Sequence, residues 1–338
     1  MKILVTGSAG FIGFHLVQRL ISESYYVIGI DNINDYYDVN LKLDRLRISG
    51  INCNHNIEYG KLIKSNKYNN YYFYKIDICD KESLNNLFNE HNFTHVINLA
   101  AQAGVRHSIN NPDKYIQSNV IGYYNILELS RIYKIKYLIY ASSSSVYGTQ
   151  SQQPFNTNDK VDKPISLYAA TKLSNELMSY SYSHLYKINT IGLRFFTVYG
   201  PYGRPDMAYF DFTDKIFNNV PIELFNNGNM QRDFTYIDDI VQGILNVLQL
   251  TLKNNLIGNN IYNLGNNNPI KLKYFISLIE KYCGKVAQKK LKPMQMGDVQ
   301  LTFADIDKSI EDLDYKPKIS IESGLSNFVT WYKSYYNK

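Results

Sequence analysis

The sequence has few cysteines and no long hydrophobic run. Its 338 residues include three cysteines, Cys53, Cys79 and Cys283, which stand far apart. This pattern excludes a disulfide framework and a zinc knuckle. No apolar run approaches the ~18 residues of a membrane-spanning helix. The first residues also lack the apolar core and cleavage site of a secretory signal peptide, so we expect a cytoplasmic protein without membrane association.

Clusters of basic residues are missing as well. The chain carries 36 Lys and Arg against 30 Asp and Glu, a net charge of +6, and these residues are scattered. Nucleic acid binding needs a basic stripe, so no such partner is predicted. His91 and His95 lack the glutamate of an HExxH zinc motif, and we expect no metal. With 45% hydrophobic and 20% charged residues, the chain is too apolar to be disordered.

The first third of the sequence alternates between strand and helix patterns. The predicted strands are 2–6, 26–30, 71–76, 94–99 and 137–141, and the predicted helices are 11–21, 82–91 and 112–133. Repeated β-α-β units favour an α/β fold with a doubly wound parallel sheet. The Asn-rich stretch 50–70 interrupts this pattern and is predicted to be a surface loop.

The second half has a different character. Helical periodicity covers 166–187, 237–251, 271–282 and 320–336, with a strand at 190–195. Beyond Gly200 the elements are short and separated by Gly, Pro and Asn. We therefore expect a nucleotide-binding domain at 1–195, joined by part of 232–258, and a smaller mixed α/β substrate lobe at 196–338.

A glycine-rich turn follows the first strand. Gly7, Gly10 and Gly13 have GxxGxxG spacing, which permits a tight turn and a close approach of backbone to a pyrophosphate at the helix N-terminus. Asp31 ends the next strand, where a carboxylate can accept both ribose hydroxyls and would repel a 2′-phosphate. Asn32 follows it rather than an arginine, so NAD is preferred over NADP.

Tyr168 and Lys172 form a YxxxK pair at the start of a predicted helix, on one helical face. A nearby ammonium favours the tyrosine phenolate and lowers its pKa, which suits a general base. A run of serines at 142–145 closes the preceding strand, and its hydroxyls are expected at the same end of the sheet.

These motifs together resemble the extended short-chain dehydrogenase/reductase family, over essentially the whole chain. Within that family the sequence is most similar to the UDP-glucuronate 4-epimerases. The resemblance rests on 100–106 (AAQAGVR), 143–148 (SSSVYG), 200–208 (GPYGRPDMA) and 296–299 (MGDV).

The resemblance implies a Rossmann-type sheet, bound NAD and epimerisation at C4 of UDP-glucuronate through a 4-keto sugar. Tyr168 would take the proton of the 4-hydroxyl, Ser143 would hydrogen-bond the reacting oxygen, and Lys172 would hold the nicotinamide ribose. Further cofactor contacts would come from Phe11, Ile12, Asp77, Ile78, Leu99, Ala100, Ala101, Gln102 and Asn119. The family also implies a homodimer built on 112–133 and 166–187, and a product used in polysaccharide biosynthesis.

The resemblance also assigns substrate contacts. The sugar carboxylate would be held by the hydroxyls of Ser144, Ser145 and Thr197 and by the Arg204 guanidinium. The UDP moiety would contact Arg232, Gln295 and Asp298, and Arg106 would contact a phosphate or a lid loop.

Three alternatives remain open. A 4-epimerase for UDP-glucose or UDP-N-acetylglucosamine would share the same motifs apart from the carboxylate contacts. A dehydratase or decarboxylase is disfavoured, because Ser144 and Ser145 stand where the related enzymes carry an Asp-Glu pair. A non-catalytic NAD-dependent sensor is disfavoured by the intact Tyr168 and Lys172.

Overall fold

Strands rich in β-branched and aromatic residues form the central sheet of the protein. The computed structural model describes residues 1–53, 57–150, 152–253, 255–295 and 297–338. The strands are β1 (Lys2–Thr6), β2 (Tyr26–Asp31), β3 (Leu62–Lys64), β4 (Tyr71–Lys75), β5 (His95–Asn98), β6 (Tyr137–Ser143), β7 (Asn189–Phe195), β8 (Thr197–Tyr199), β9 (Ile222–Leu224), β10 (Gln231–Tyr236), β11 (Asn259–Leu264), β12 (Pro269–Lys271) and β13 (Lys289–Leu291).

Helices connect most of these strands. They are α1 (Phe11–Ser22), α2 (Val39–Ile48), α3 (Lys81–Glu90), α4 (Val105–Asn110), α5 (Pro112–Tyr115), α6 (Tyr123–Ile132), α7 (Leu167–Tyr186), α8 (Ala208–Phe217), α9 (Ile237–Leu252), α10 (Leu272–Cys283), α11 (Asp307–Leu313) and α12 (Ile321–Tyr336). None of the helices within the described ranges is long and apolar enough to cross a membrane.

The main sheet has eight strands in the order β11-β7-β6-β5-β1-β2-β4-β3. The pairs β6·β5, β5·β1, β1·β2 and β2·β4 are parallel. The chain thus runs outward in both directions from β1, which is the doubly wound arrangement that the β-α-β pattern predicted. In such sheets ligands bind beyond the carboxyl ends of the strands, where the winding direction changes.

A buried apolar layer fixes this sheet to its helices. Alternate side chains of the parallel strands pack against α3 and α6, because residues two apart along a strand face the same side. Its fully or nearly fully buried members include Leu4, Ile28, Ile30, Val96, Leu138, Leu84, Leu87, Ile126 and Leu127. Loss of one large member typically costs about 2–5 kcal/mol.

Two segments differ from the sequence prediction. The stretch 50–70 contains β3, which pairs antiparallel with β4 and forms an edge of the sheet; the prediction of a loop was wrong there, and residues 54–56 lie outside the described residues. The helix predicted at 112–133 is helical throughout, but Ile116–Gly122 winds as a π-helix between α5 and α6. Both β3 and the π-helical segment are too short for the hydrophobic periodicity of the sequence to indicate them.

The contacts within the chain divide it into two units. One consists of Met1–Val146, Pro164–Arg194 and Ile244–Tyr262, and the other of Tyr147–Lys163, Phe195–Gly243 and Asn263–Lys338. The second unit contains a three-stranded sheet, β12-β10-β8, and a two-stranded parallel sheet, β13-β9. Its helices α8, α10 and α12 pack on one another, with Phe210 and Phe328 among the aromatic contacts (5.7 Å between ring centroids).

Candidate active site

The glycine turn after β1 is packed so tightly that side chains cannot enter it. Gly7 has φ +70°, and a Cβ there would lie 2.7 Å from the Ala100 nitrogen. A Cβ on Gly13 would lie 2.1 Å from the Gly7 carbonyl oxygen. The turn is closed by a hydrogen bond from the Gly10 N–H to that same oxygen (2.9 Å). The three glycines are therefore required by the geometry of the strand-to-helix turn.

The N-terminus of α1 is left open by this turn. Gly10 is the residue that caps α1, and it has no side chain to accept the first helical N–H groups, which belong to Phe11, Ile12 and Gly13. The first turn also carries no acidic residue. A helix end of this kind offers N–H donors and a positive dipole to phosphate groups. The turn therefore fits the diphosphate of a dinucleotide.

Asp31 is the last residue of β2 and its carboxylate is held in place by backbone. Its oxygens accept from the N–H groups of Ala9 (3.1 Å) and Ile33 (2.8 Å), and the residue is 8% exposed. Asn32 donates to the Asp77 carboxylate (2.8 Å), which also caps the N–H of Cys79. Asp77 and Ile78 follow β4 rather than ending it. The ribose-binding position predicted for Asp31 thus lies beside the glycine turn.

Asn119 joins the loop after β5 to the helix α7. Its side-chain amide exchanges two hydrogen bonds with the backbone of Gln102 (2.7 and 2.9 Å) and donates to Thr171 Oγ1 (3.1 Å). Thr171 in turn donates to the backbone carbonyl of Tyr168 (2.8 Å). Because these contacts occupy the Asn119 amide, its side chain braces the loop that contains Leu99, Ala100, Ala101 and Gln102.

Tyr168 and Lys172 lie in the first turns of α7. The helix begins where Ser166 accepts from the Ala169 N–H (3.1 Å), which sets the pair one turn apart on the same face. Lys172 is buried, and its ammonium donates to the carbonyl of Ala141 on β6 (2.9 Å). Burial lowers the pKa of Lys172 from 10.5 to about 8. Tyr168 is half-buried. Its ring makes an edge-to-face contact with the ring of Tyr115, with 6.1 Å between the ring centroids.

The serine run lies at the end of the neighbouring strand β6. Ser143 is buried, and its hydroxyl donates to Ser145 Oγ (3.1 Å) while accepting from the Ser145 N–H (3.2 Å). Ser144 and Ser145 begin a 3-10 turn and are half-buried. Since Ala141 of the same strand holds Lys172, β6 and α7 place the hydroxyls of the serine run and the YxxxK pair at one end of the sheet.

A cavity in the second unit surrounds one predicted nucleotide contact. It has a volume of about 510 Å³ and includes Asp298 among its walls. The lining residues are Gly148, Thr149, Gln150, Gln153, Phe155, Gln231, Asp298, Val299, Gln300 and Leu301. The Asp298 N–H donates to the carbonyl of Gln295 (3.3 Å), so both predicted contacts belong to one turn. Met296, the first residue of the MGDV motif, lies outside the described residues.

Arg232 lies next to this cavity on β10. Its guanidinium donates to the carbonyls of Gln231 (2.9 Å) and Gln300 (3.2 Å). The neighbouring Asp233 is fully buried and accepts from three backbone N–H groups, at 2.7 to 3.0 Å. Burial raises the pKa of Asp233 from 3.8 to about 6. Asp233 thus ties β10 to two loops and holds the strand that carries Arg232.

Thr197 and Arg204 belong to the second unit, with Arg204 in the GPYGRPDMA loop and Thr197 on the strand that precedes it. Thr197 is half-buried and opens β8, where it pairs with Phe234. Arg204 makes a two-pronged ion pair with Asp206, from Nε to Oδ1 (3.0 Å) and from Nη2 to Oδ2 (2.5 Å). Arg106, in contrast, is exposed on α4 of the first unit. Arg106, predicted to contact a phosphate or a lid loop, thus belongs to the first unit.

The chain is similar to known proteins in both sequence and structure. Residues 3–265 match the model of the NAD dependent epimerase/dehydratase family. The chain belongs to this family. It is similar to Protein CapI of Staphylococcus aureus (48% identity, 100% of both chains) and to the UDP-glucuronate 4-epimerase of Thermodesulfobacterium geofontis (43%, covering 98% of this chain and 95% of the other). It is also similar to the crystal structure of Bacillus cereus UDP-glucuronic acid 4-epimerase in complex with UDP-glucuronic acid and NAD (34% identity, TM-score 0.88, 99% and 100% coverage).

Membership of the NAD dependent epimerase/dehydratase family confirms the fold class and the NAD cofactor expected from the sequence. The glycine turn fits that cofactor, because it presents an N-terminus of α1 that has no capping side chain and no acidic residue in its first turn. The residue-by-residue assignments stay predictions.

Sequence reasoning missed a buried polar network beside the YxxxK pair. Glu176 stands one helical turn beyond Lys172, and both its oxygens accept from the Arg194 guanidinium (2.9 and 2.8 Å). Ser142 donates to the same carboxylate (2.5 Å). All three side chains are buried. The continued spacing of Tyr168, Lys172 and Glu176 was an available signal, because residues four apart share a helical face.

A second missed residue supports the glycine turn. Arg45 on α2 is fully buried, and its guanidinium donates to the Ala9 carbonyl (2.8 Å) and to the hydroxyl of Tyr37 (2.7 Å). No sequence motif marks it, since α2 is a mixed polar helix. Arg45 therefore anchors the glycine turn to α2.

Proposed function

We propose that the protein is a UDP-glucuronate 4-epimerase, which interconverts UDP-glucuronate and UDP-galacturonate with NAD as its resident cofactor. The proposal rests on the full-length similarity to the solved Bacillus cereus UDP-glucuronic acid 4-epimerase, together with the Tyr168–Lys172 pair beside the serine run. Bound NAD supplies a reversible acceptor for the hydrogen on C4 of the sugar.

The reaction requires a group that removes and returns a proton at the 4-hydroxyl. In our assignment the Tyr168 phenolate takes this proton while C4 becomes a ketone, and it gives the proton back after the sugar has turned. Lys172 stabilises the phenolate by its charge and holds the nicotinamide ribose. The Ser143 hydroxyl hydrogen-bonds the reacting oxygen.

The intermediate of this reaction is unstable, because a 4-keto uronate is a β-keto acid and can lose CO₂. To retain the acid, the site must hold the carboxylate in an orientation that is not aligned with the keto group for loss of CO₂. We assign this task to the hydroxyls of Ser144, Ser145 and Thr197 and to the guanidinium of Arg204, which matches a carboxylate in a bidentate manner.

The nucleotide is assigned to the second unit. The cavity beside Asp298 offers a carboxylate for the uridine ribose, with Gln295 in the same turn. Arg232, adjacent to the cavity, supplies a positive charge for the diphosphate. Arg106, which belongs to the first unit, would contact a phosphate or a lid loop. The cofactor in turn is assigned to the first unit, through Gly7, Gly10, Phe11, Ile12, Gly13, Asp31, Asn32, Asp77, Ile78, Leu99, Ala100, Ala101, Gln102, Asn119, Tyr168 and Lys172.

We further propose that the enzyme is a homodimer. Helix α7 exposes Leu177, Tyr180 and Leu185, each more than 60% accessible, and the neighbouring helical segment exposes Ile121 and Tyr124. Apolar side chains that cluster on one exposed face mark an association surface.

We place the reaction in the cytoplasm, where the three free cysteines suit a reducing compartment. Its product is an activated uronic acid, so the class of reaction that consumes it is glycosyl transfer during polysaccharide biosynthesis.

The test is a product assay with three substrates. The purified protein is incubated separately with UDP-glucuronate, UDP-glucose and UDP-N-acetylglucosamine, without added NAD, and the products are identified by proton NMR. We expect UDP-galacturonate from the first sugar alone, and no turnover by the Tyr168→Phe variant. Turnover of a neutral sugar only would refute the uronate assignment and leave the Tyr168 assignment standing.

A further inference from the structure

The GPYGRPDMA loop of the second unit is held in a fixed shape. Gly200 has φ +148° and Tyr202 has φ +53°, and the Tyr202 ring packs on Trp331 (4.8 Å between centroids). A Cβ at Gly203 would lie 1.8 Å from the hydroxyl of Tyr209. The loop ends where the Met207 N–H donates to the Arg204 carbonyl (3.1 Å) and α8 begins. These contacts fix the backbone on both sides of Arg204.

Within this loop the Arg204 guanidinium already holds a carboxylate. Nε and Nη2 of Arg204 donate to the two oxygens of Asp206, which is the fork-to-fork geometry that an arginine adopts with a bound carboxylic acid. Asp206 lies only two residues away, so little chain entropy opposes the pairing. Both side chains remain partly accessible, at 21% and 31%. The pair can therefore open without unfolding of the loop.

We propose that Asp206 is an internal competitor for the sugar carboxylate, and that UDP-glucuronate binds by displacing Asp206 from the Arg204 guanidinium. This inference rests on the proposed function, which assigns the sugar carboxylate to Arg204. Asp206 then limits how strongly the site prefers a uronate over a neutral sugar. A sugar that carries a carboxylate replaces the broken ion pair with a new one to Arg204. A neutral UDP-hexose leaves the Arg204–Asp206 pair closed and makes no ion pair with Arg204.

The magnitude follows from the exposure of the pair. Partly exposed ion pairs contribute little net free energy, so release of Asp206 corresponds to about a two- to fivefold change in affinity. Asp206→Asn removes the competing charge and keeps the shape of the side chain. UDP-glucuronate should therefore bind about two- to fivefold more tightly to this variant, while the affinity for UDP-glucose stays unchanged.

The test is calorimetric titration of both nucleotide sugars into full-length protein with Tyr168→Phe, which prevents turnover, with and without Asp206→Asn. Both ligands carry the same diphosphate, so their affinity ratio cancels any general effect of the lost negative charge. Asp211→Asn is the matched control, because Asp211 forms a partly exposed ion pair with Lys215 (2.8 Å) on α8 of the same unit. This control should leave the ratio unchanged.

An unchanged ratio in Asp206→Asn, or weaker binding of UDP-glucuronate, overturns the inference, since Asp206 would then serve to orient Arg204. Asp206→Ala gives the same expectation without an amide that could form a new hydrogen bond. The two failures are distinguishable. If the otherwise unmodified protein converts UDP-glucuronate while the ratio stays fixed, only this inference fails, whereas absence of that conversion refutes the proposed function.

Discussion

The buried ammonium of Lys172 should reduce the stability of the protein. Burial lowers the pKa of Lys172 from 10.5 to about 8. At neutral pH this shift means that burial of the charged ammonium lowers the free energy of unfolding by about 3 kcal/mol. In Lys172→Met the charge is gone and the apolar stem remains, while the Ala141 carbonyl loses its donor at a cost of about 1 kcal/mol. The Lys172→Met variant should therefore be about 2 kcal/mol more stable than the wild type.

The pH dependence of this difference identifies its origin. Below pH 8 both the folded and the unfolded chain carry the proton on Lys172, and the whole penalty applies. Between pH 8 and 10.5 the folded chain loses the proton first, so the unfolded state binds more protons and the stability of the wild type rises relative to the variant. The advantage of Lys172→Met should fall from about 2 kcal/mol at pH 7 to nearly zero at pH 9.5.

The assay is urea unfolding of NAD-free protein at pH 7 and pH 9.5, followed by circular dichroism. Lys64→Met, which removes an exposed lysine on β3, is the control and should show no such pH-dependent difference. A Lys172→Met variant that is less stable than the wild type at pH 7, or an advantage that does not change with pH, would refute the reasoning.

Three further predictions concern other parts of the fold. Glu176→Ala leaves the buried Arg194 guanidinium without its carboxylate and should lower the free energy of urea unfolding by about 3–5 kcal/mol. Gly13→Ala places a Cβ 2.1 Å from the Gly7 carbonyl, so the variant should lose NAD binding, measured as cofactor released on acid denaturation of the purified protein. Leu177→Glu puts a charge on an exposed apolar face and should give a monomer in analytical ultracentrifugation.

Each of these has a contrary result. A Glu176→Gln variant as stable as the wild type would mean that the volume and hydrogen bonds of the side chain matter and its charge does not. Full cofactor content in Gly13→Ala would mean that the turn can widen. A dimer that persists with Leu177→Glu, while the wild type is also a dimer, would move the subunit interface away from α7.

The doubly wound sheet could be predicted from the sequence because its signals are local. Alternating strand and helix patterns extend over the first third of the chain. Gly10 and Gly13 are required by contacts with the Gly7 carbonyl, only a few residues away. The same is true of Tyr168 and Lys172, whose spacing sets them on one face of α7. Such features depend on the order of residues along the chain, which the sequence contains directly.

Other features depend on tertiary contacts and could not be predicted. The spacing of Lys172 and Glu176 places both on one face of α7, but the pairing of Glu176 with Arg194 on β7 depends on the folded chain, and no short motif joins them. The edge strand β3 forms because one side of β4 is available for pairing. The segment is short and is surrounded by polar residues, so its sequence alone does not indicate a strand. Arg204 was expected to be available for a ligand, and its pairing with Asp206 became visible only in the folded loop.

The proposed epimerisation at C4 is tested most directly by following a single hydrogen atom of the substrate. UDP-glucuronate labelled with deuterium at C4 is incubated with the purified protein in ordinary water, and the product is analysed by NMR and mass spectrometry. We expect UDP-galacturonate that retains both its carboxylate and the deuterium at C4, because the hydrogen removed from C4 returns to C4 without exchange with solvent. Loss of the label to solvent, or a UDP-pentose formed by release of CO₂, would contradict it.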